Sequence, residues 1–500
     1  ANLVFQVEGQ DALADSEIRK AWEDYYSSQQ GVEMQCLVSG EVAPVARLHP
    51  ALRGVPGAQA TGASLVGFNS PAYESYNRSG SQGLNAPVSQ RIAAGYGVAL
   101  NYLLAKRKAR RERLVGDAAV VYWAESTNKR YEQVFASLLD PEAIEGLPVN
   151  ARDTRAEEQL REVALKVQHG RALDVSGLPD LDGSTRFYVL GLSPNSGRLA
   201  VRFFLNDRFD RFFERIMQHY QDMQIVKEFG NQRDYLSPYQ ILVECVSPQI
   251  NNPEEGVRET MGLLGGALMH SILTGAPYPT GLYSQLIMRI RIDSDEDRTD
   301  PKTGKVTKRI RKIKYPRVAM IKACLIRKYR NRLRNPFKEA LQMTLNETFT
   351  HPAYILGRLF AVLENVQIEA IFRTADESGD SSLLEEDLIS DDPASRKTRT
   401  PRSTIKNRYF ALACATPATV FPVLLKLAQH HITKAKYGRI ADRRIQELLN
   451  MLPADQDAFP KRLSLDEQGI FIIGFYHQRA AFYAKGNEDT TDTDFNQVDE

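Results

Sequence analysis

Cysteine is scarce in this 500-residue chain: Cys36, Cys245, Cys324 and Cys414 lie far apart and none belongs to a CxxC pair. That excludes a disulfide scaffold and a structural zinc site, and it places the chain in a reducing cytoplasm. No apolar run approaches the roughly 20 residues that a membrane-spanning helix needs, so no membrane partner is expected. Nucleotide-binding and hydrolase signatures are missing too: there is no GxxxxGKS/T, GxSxG, HExxH or GxGxxG. Thr303-Gly304-Lys305-Val306-Thr307 lacks the leading glycine of a phosphate loop. His430 and His431 are adjacent on a predicted helix, about 100° apart, and are poorly placed to chelate one metal. No catalytic residue, metal or cofactor is therefore assigned, and a non-enzyme is expected. The start, Ala1 to Gly9, has neither a signal-peptide pattern nor an initiator methionine. Its strand-like Leu3 to Val7 reads as a chain entered in mid-domain, with residues expected upstream.

A large excess of charge of either sign is also lacking: the net charge is only +2, with 25% charged residues and 43% hydrophobic ones, the composition of a globular protein. The distribution is more informative. From Arg298 to Arg334 there are 15 Lys or Arg against one acid, Asp300, while acid gathers at 293–297, 376–392 and 488–500. A stripe this basic repels itself unless it is counter-charged, and a phosphate backbone supplies that charge with release of its condensed ions. The competing reading is a solvated face, or a surface paired with the protein's own acids.

The length requires more than one domain. Up to about residue 250 the chain mixes strands and helices. A helix is predicted over 87–113 with Ile92, Tyr96, Ala99 and Leu103 as its apolar recurrence. A strand over 118–124, a helix over 127–139 and a charged helix over 153–168 follow. Phe187–Leu192 and Leu199–Phe204 form a hairpin around Ser193-Pro194-Asn195-Ser196-Gly197, and a helix runs over 207–226. Beyond 250 helices dominate: 253–274, 281–292, 316–332, 336–349, 352–375, 404–436 (broken near Pro417 and Pro422), 439–451 and 465–484. Residues 376–402 are expected to be a disordered loop. The fold class is α+β, a mixed α/β N-terminal region followed by an all-α C-terminal bundle. The expected domains are 1–250 for the α/β region, 251–335 for a helical region with the basic stripe, 336–485 for the bundle and 486–500 for an acidic tail. The bundle core is predicted to use Leu356, Leu359, Leu363, Leu424, Leu427, Leu448, Ile472 and Phe475.

Two further segments bear on binding. Ser64 to Ser89 is rich in Ser, Asn, Gly, Gln and Tyr, side chains that hydrogen-bond base edges and fit a narrow minor groove. Composition alone favours an ordinary polar surface loop. Arg186, Arg198 and Arg202 on the hairpin either hold phosphate or solvate a sheet.

Four segments resemble one family in one order along nearly the whole chain. They are Leu65–Asn69 through Ser75-Tyr76 to Asn85–Ser89; Leu192–Arg198 with Val201-Arg202; Gly275–Pro279 with Arg289–Arg291; and Gly474–Arg479. The run Arg408–Pro417 and Phe421-Pro422 to His430-His431 is similar as well. Together they resemble the large subunit of the type I-C CRISPR surveillance complex, Cascade. The resemblance implies a non-catalytic subunit near the 5′ handle of the crRNA, partnered by the crRNA-bearing Cascade subunits. It implies recognition of a T-rich protospacer-adjacent motif in double-stranded DNA, promotion of R-loop formation and retention of the displaced strand. It also implies recruitment of a helicase-nuclease, and a small subunit translated internally from the same gene, for which Met343 is one candidate start. Base pairing reads the target in such complexes, while protein reads a short duplex motif and the backbone.

Carried onto this sequence, the motif-reading residues are Asn69, Ser75, Tyr76, Asn77, Gln82 and Asn85. The nucleic-acid backbone would be held by Arg186, Arg198, Arg202, Lys305, Lys308, Arg309, Arg311, Lys312, Lys314, Arg317, Lys322, Arg327, Lys328 and Arg330. The rival readings are a metal-dependent nuclease built on His430 and His431, an RNA-binding scaffold, and a protein-interaction module whose stripe docks an acidic partner.

Overall fold

The protein, in a computed structural model, is described over residues 5–7, 10–12, 15–27, 31–74, 82–109, 112–140, 181–228, 236–299, 306–378, 384–388, 397–401, 404–453 and 459–488. The expected helix over 153–168 lies outside the described residues. Helices outnumber strands and the class is α+β. Two compact units form, Ala1–Thr127 with Arg186–Asn206, and Asn128–Thr185 with Asp207–Glu500. No described helix is long and apolar enough to cross a membrane.

The first unit contains β1 (Gln6–Val7), β2 (Gln10–Asp11), β3 (Glu33–Gln35), β4 (Val42–Pro44), β5 (Ala51–Leu52), β6 (Ala63–Ser64), β7 (Ala119–Ala124), β8 (Arg186–Asn195) and β9 (Arg198–Arg208), with helices α1 (Ser16–Ser27) and α2 (Gln90–Ala109). Its main sheet has the order β5-β6-β9-β8-β7. Strands β7 and β8 are antiparallel, with Val121 opposite Leu190 and Trp123 opposite Tyr188, while β6 joins β9 in parallel at Ser64 and Arg198. The turn between β8 and β9 is shorter than the sequence indicated. Strand pairing runs to Asn195, and Ser196 takes a φ of 53°, the positive value that a two-residue hairpin turn demands. Leu52, Leu100, Leu104, Val121, Leu190, Leu192 and Leu199 share one core. The buried stripe of α2 is Ala93, Gly97, Leu100 and Leu104, one residue on from the predicted one, because Gly97 seats against Pro50 where a side chain would overlap the ring.

The second unit is helical: α3 (Arg130–Leu139), α4 (Phe209–Met223), α5 (Pro238–Val243), α6 (Pro253–Thr260), α7 (Gly262–Thr274), α8 (Thr280–Ile292), α9 (Tyr315–Tyr329), α10 (Pro352–Ser378), α11 (Ile405–Ala415), α12 (Pro417–Lys434), α13 (Gly438–Asn450) and α14 (Leu465–Glu488). Two antiparallel strand pairs interrupt it, β10 (Glu296–Thr299) with β11 (Val306–Ile310), and β12 (Leu384–Leu388) with β13 (Lys397–Pro401). The second pair corrects the loop expected over 376–402. The expected helix over 253–274 divides at Met261, beside the weak helix formers Gly262, Gly265 and Gly266. Pro417 opens α12, whereas Pro422 is carried inside that helix without ending it.

The helix expected over 336–349 does not form. Asn335 and Asn346 accept hydrogen bonds from the nearby backbone N–H groups of Phe337 and Thr348, which competes with helical pairing, and Phe337, Ala340 and Leu341 are buried from irregular backbone.

Helices α10 and α14 cross closely because each presents a glycine. A β-carbon on Gly357 would overlap the Phe471 carbonyl, and one on Gly474 the Tyr354 carbonyl. Around this crossing Phe360, Phe410, Phe471 and Phe475 pack with ring planes 61–83° apart, the edge-to-face preference of a dry aromatic core. Leu356, Leu359, Leu363, Leu424, Leu448, Ile472 and Phe475 are buried as predicted, but Leu427 is 39% exposed. The stripe of α12 is Pro417, Val420, Phe421, Leu424 and Ala428, and Leu427 falls roughly 80° from its centre.

Candidate nucleic-acid interface

In the first unit a cleft of about 100 Å³ is lined by Arg47, His49, Asn69, Gln82, Gly83 and Arg198, among others. Two short 3-10 turns frame it, Pro71–Tyr73 and Gln82–Asn85. The second is pinned by Gly83. Its N–H donates to the Arg47 carbonyl at 3.0 Å, and a β-carbon there would strike the Ala46 and Arg47 carbonyls. Gln82 is held at a φ of 47°, a conformation costly for a residue with a side chain. The Asn85 side-chain amide donates to the Gln82 carbonyl at 2.9 Å, so Asn85 braces the turn. The buried side-chain oxygen of Gln82 has no hydrogen-bond partner among the described residues.

On the other side, β9 brings Arg198 to the loop. Its guanidinium lies 3.7 Å from the centre of the Tyr73 ring and donates to the Asn69 side-chain oxygen. That orients the Asn69 amide with its N–H donors unclaimed by that bond. His49 bonds Tyr96 at 2.6 Å, and burial holds its pKa below the ordinary histidine value, so it is neutral near pH 7. The cleft therefore offers donors from Asn69 and Arg198, both donor and acceptor from Gln82, and little fixed negative charge. Ser75, Tyr76 and Asn77 lie outside the described residues. Arg47, His49 and Tyr73 were not selected from sequence, since nothing in their local pattern distinguishes them from ordinary surface residues.

The hairpin arginines separate. Arg202 is clamped on Asp117, with Nε 3.2 Å from the carboxylate. Arg186 is exposed at the far end of the hairpin, roughly 30 Å along the strand from Arg198.

The basic stripe of the second unit is not one surface. Arg317 is buried between Glu244 and Asp293, at 3.0 and 2.8 Å. Arg327 is buried on Asp222 at 2.9 Å, and Arg330 reaches the other oxygen of the same carboxylate. Lys312 donates to the Lys406 carbonyl at 2.7 Å, and Lys322 to the Gln224 carbonyl. Desolvation lowers the pKa of both lysines to about 8. Arg311 pairs with Asp297, Lys314 with Glu244 and Lys328 with Asp466.

As phosphate contacts, Lys312, Arg317, Lys322 and Arg327 are thus corrected: their charges close the fold onto its own acids and carbonyls and are withheld from solvent. Lys308 and Arg309 stand on β11 opposite Arg298 and Asp297, and Lys305 lies outside the described residues. The exposed remainder is Lys328 and Arg330 with Arg332, Arg334 and Lys338, on the segment that leaves α9.

His430 and His431 sit 5.8 Å apart on α12 with rings 64° apart, and burial and neighbouring cations lower the pKa of His431. Among the described residues no group of three or more His, Cys, Asp or Glu side chains is arranged to hold a metal.

Comparison with known proteins gives one family. No curated protein matches the chain. A family model described as CRISPR-associated protein (Cas_Csd1) matches residues 1–483. A match over nearly the whole chain agrees with the segments that resembled the type I-C large subunit, and it makes this chain a member of the Cas_Csd1 family, a large subunit of the type I-C CRISPR surveillance complex.

Proposed function

We propose that the chain is the non-catalytic subunit that reads the protospacer-adjacent motif in duplex DNA, and that the cleft between Asn69, Gln82 and Arg198 is the reader. The observation that carries this reading is Gln82. Its backbone is held in a disfavoured conformation by Gly83 and Asn85, and its buried side-chain oxygen is left without a partner. Strain and an unpaired buried acceptor are both costs, and only a donor relieves the second: a base amino group, guanine N2 in the minor groove or adenine N6 or cytosine N4 in the major groove. The minor groove of A·T pairs exposes only acceptors, which the Asn69 amide and the free guanidinium N–H groups of Arg198 complement. The same reading assigns backbone contact to exposed cations, Arg186, Arg332, Arg334 and Lys338. It also has the subunit promote R-loop formation, retain the displaced strand and recruit the helicase-nuclease.

The test is equilibrium binding of the reconstituted complex to duplexes that differ only in the flanking motif. A loss of about 1–3 kcal/mol per wrong base pair supports motif reading. Equal affinity for every motif sinks it.

A further inference from the structure

The first unit carries a second aromatic arrangement unlike the bundle core. On the main sheet Trp123 of β7 and Tyr188 of β8 are direct cross-strand partners, their ring centres 5.2 Å apart and their planes within 10°. Phe204 of β9 completes a triangle, 6.3 Å from each, with planes 25° and 15° from the other two. The inner edge of the cluster is anchored, because Trp123 packs against the core shared with α2. Its outer edge is open: Phe204 is 51% exposed, and Trp123 and Tyr188 are half-buried.

Polar groups border the rings. The Tyr188 hydroxyl donates to Glu125, which fixes that ring. Arg186, two residues along β8 and hence on the same face, is exposed and close enough to act electrostatically on Tyr188. No ion pair joins Arg186 to an acid among the described residues. Arg202 is held away by Asp117.

We propose that Trp123, Tyr188 and Phe204 form a stacking platform for the unpaired bases of single-stranded nucleic acid, with Arg186 on the adjoining phosphate. Near-parallel rings on an exposed sheet face match flat bases, which stack in a sequence-tolerant way on aromatic side chains beside a cationic track. An apolar protein partner would have no use for the unpaired arginine. The proposal deepens the strand-holding part of the function above and rests on it, but not on motif reading.

The chain holds two tryptophans, Trp22 and Trp123. In the 500-residue chain carrying Trp22→Phe, Trp123 is the sole tryptophan reporter. Oligo(dT), oligo(U) and an abasic strand of equal length are titrated while tryptophan emission is followed. Quenching by oligo(dT) or oligo(U), but not by the abasic strand, is the expected result. Phe204→Ala should weaken binding about 5- to 150-fold, and Phe204→Tyr should leave it near the parent value. Arg186→Ala should lower the salt slope by about 0.7. If Phe204→Ala melts early, Phe204→Leu, which keeps apolar bulk and removes the ring, decides instead. Preference for DNA identifies the displaced strand as the occupant, and preference for RNA identifies the crRNA. Absence of quenching by both base-bearing strands, equal affinity for the abasic strand, or unchanged affinity in a folded Phe204→Leu protein overturns the proposal. None of these strands contains the duplex motif, so failure here leaves the motif test untouched, and the converse holds.

Discussion

Arg327→Ala and Arg334→Ala remove the same charge from the same basic stretch, and the structure assigns them opposite consequences. The Arg327 side chain is 1% exposed. Its Nε is 2.9 Å from Asp222, its Nη1 donates to the Ser271 and Ala276 carbonyls, and its guanidinium lies 4.1 Å from the centre of the Tyr278 ring. Breaking a buried ion pair costs about 3–5 kcal/mol because the remaining charge is left desolvated. Asp222 keeps Arg330, so the lower end, about 3 kcal/mol, applies here. At about 1.4 °C per kcal/mol for a unit that spans Asn128–Thr185 and Asp207–Glu500, the melting temperature should fall by roughly 4 °C. Arg334 is exposed, and its loss should change stability by less than about 0.5 kcal/mol. As a phosphate contact it should instead lower the salt slope of duplex binding by about 1. Differential scanning fluorimetry and a salt-dependent binding series read both. If Arg327→Ala melted within about 1 °C of the parent while duplex binding fell, the stripe would be an exposed DNA track after all and the assignment would be wrong.

Gly357→Val should destabilise the second unit by about 3 kcal/mol, since its side chain enters the space of the Phe471 carbonyl; urea denaturation checks this. His477 is buried on α14, bonded to Tyr354 at 2.9 Å, and desolvation lowers its pKa to about 3, so the native state keeps it neutral. Between about pH 6.5 and 3 the unfolded chain binds the extra proton, so stability falls on acidification across that window, by about 1.4 kcal/mol per pH unit from this group. His477→Gln should flatten that slope in pH-dependent melting. Gly83→Ala should displace the Gln82 turn, because its β-carbon meets the Ala46 and Arg47 carbonyls; it should destabilise the first unit by about 1–3 kcal/mol in urea denaturation and reduce motif discrimination in duplex binding.

The helices and the main hairpin were legible because their cause is local. Phe209, Phe212, Phe213, Ile216, Met217 and Tyr220 recur at helical spacing, and Asn195-Ser196-Gly197 has the residues of a tight turn. Where side chains bond nearby backbone, as at Asn335 and Asn346, the apolar pattern of 336–349 misled because burial there does not need a helix. The basic stripe misled for a different reason. Of its counter-charges, Asp222, Glu244 and Asp466 come from elements far away in sequence, while Asp293 and Asp297 belong to the acidic run beside the stripe, and which cation each one meets is set by tertiary packing that no local window contains. The polar loop was legible in composition, and Asn69 and Gln82 do line a cleft. The Arg198 bond to Asn69 and the Gly83 pin were not, since both depend on long-range pairing.

The most direct test of the central claim pairs a protein substitution with a base-pair substitution. Duplex binding by the reconstituted complex is measured for the parent and for Gln82→Ala and Asn69→Ala, each with the correct motif and with one motif pair changed. If the cleft reads the motif, each variant binds the correct duplex more weakly and loses most of the roughly 1–3 kcal/mol penalty for the changed pair. If the penalty persists in full in both variants, the motif is read elsewhere, and the cleft is not the reader.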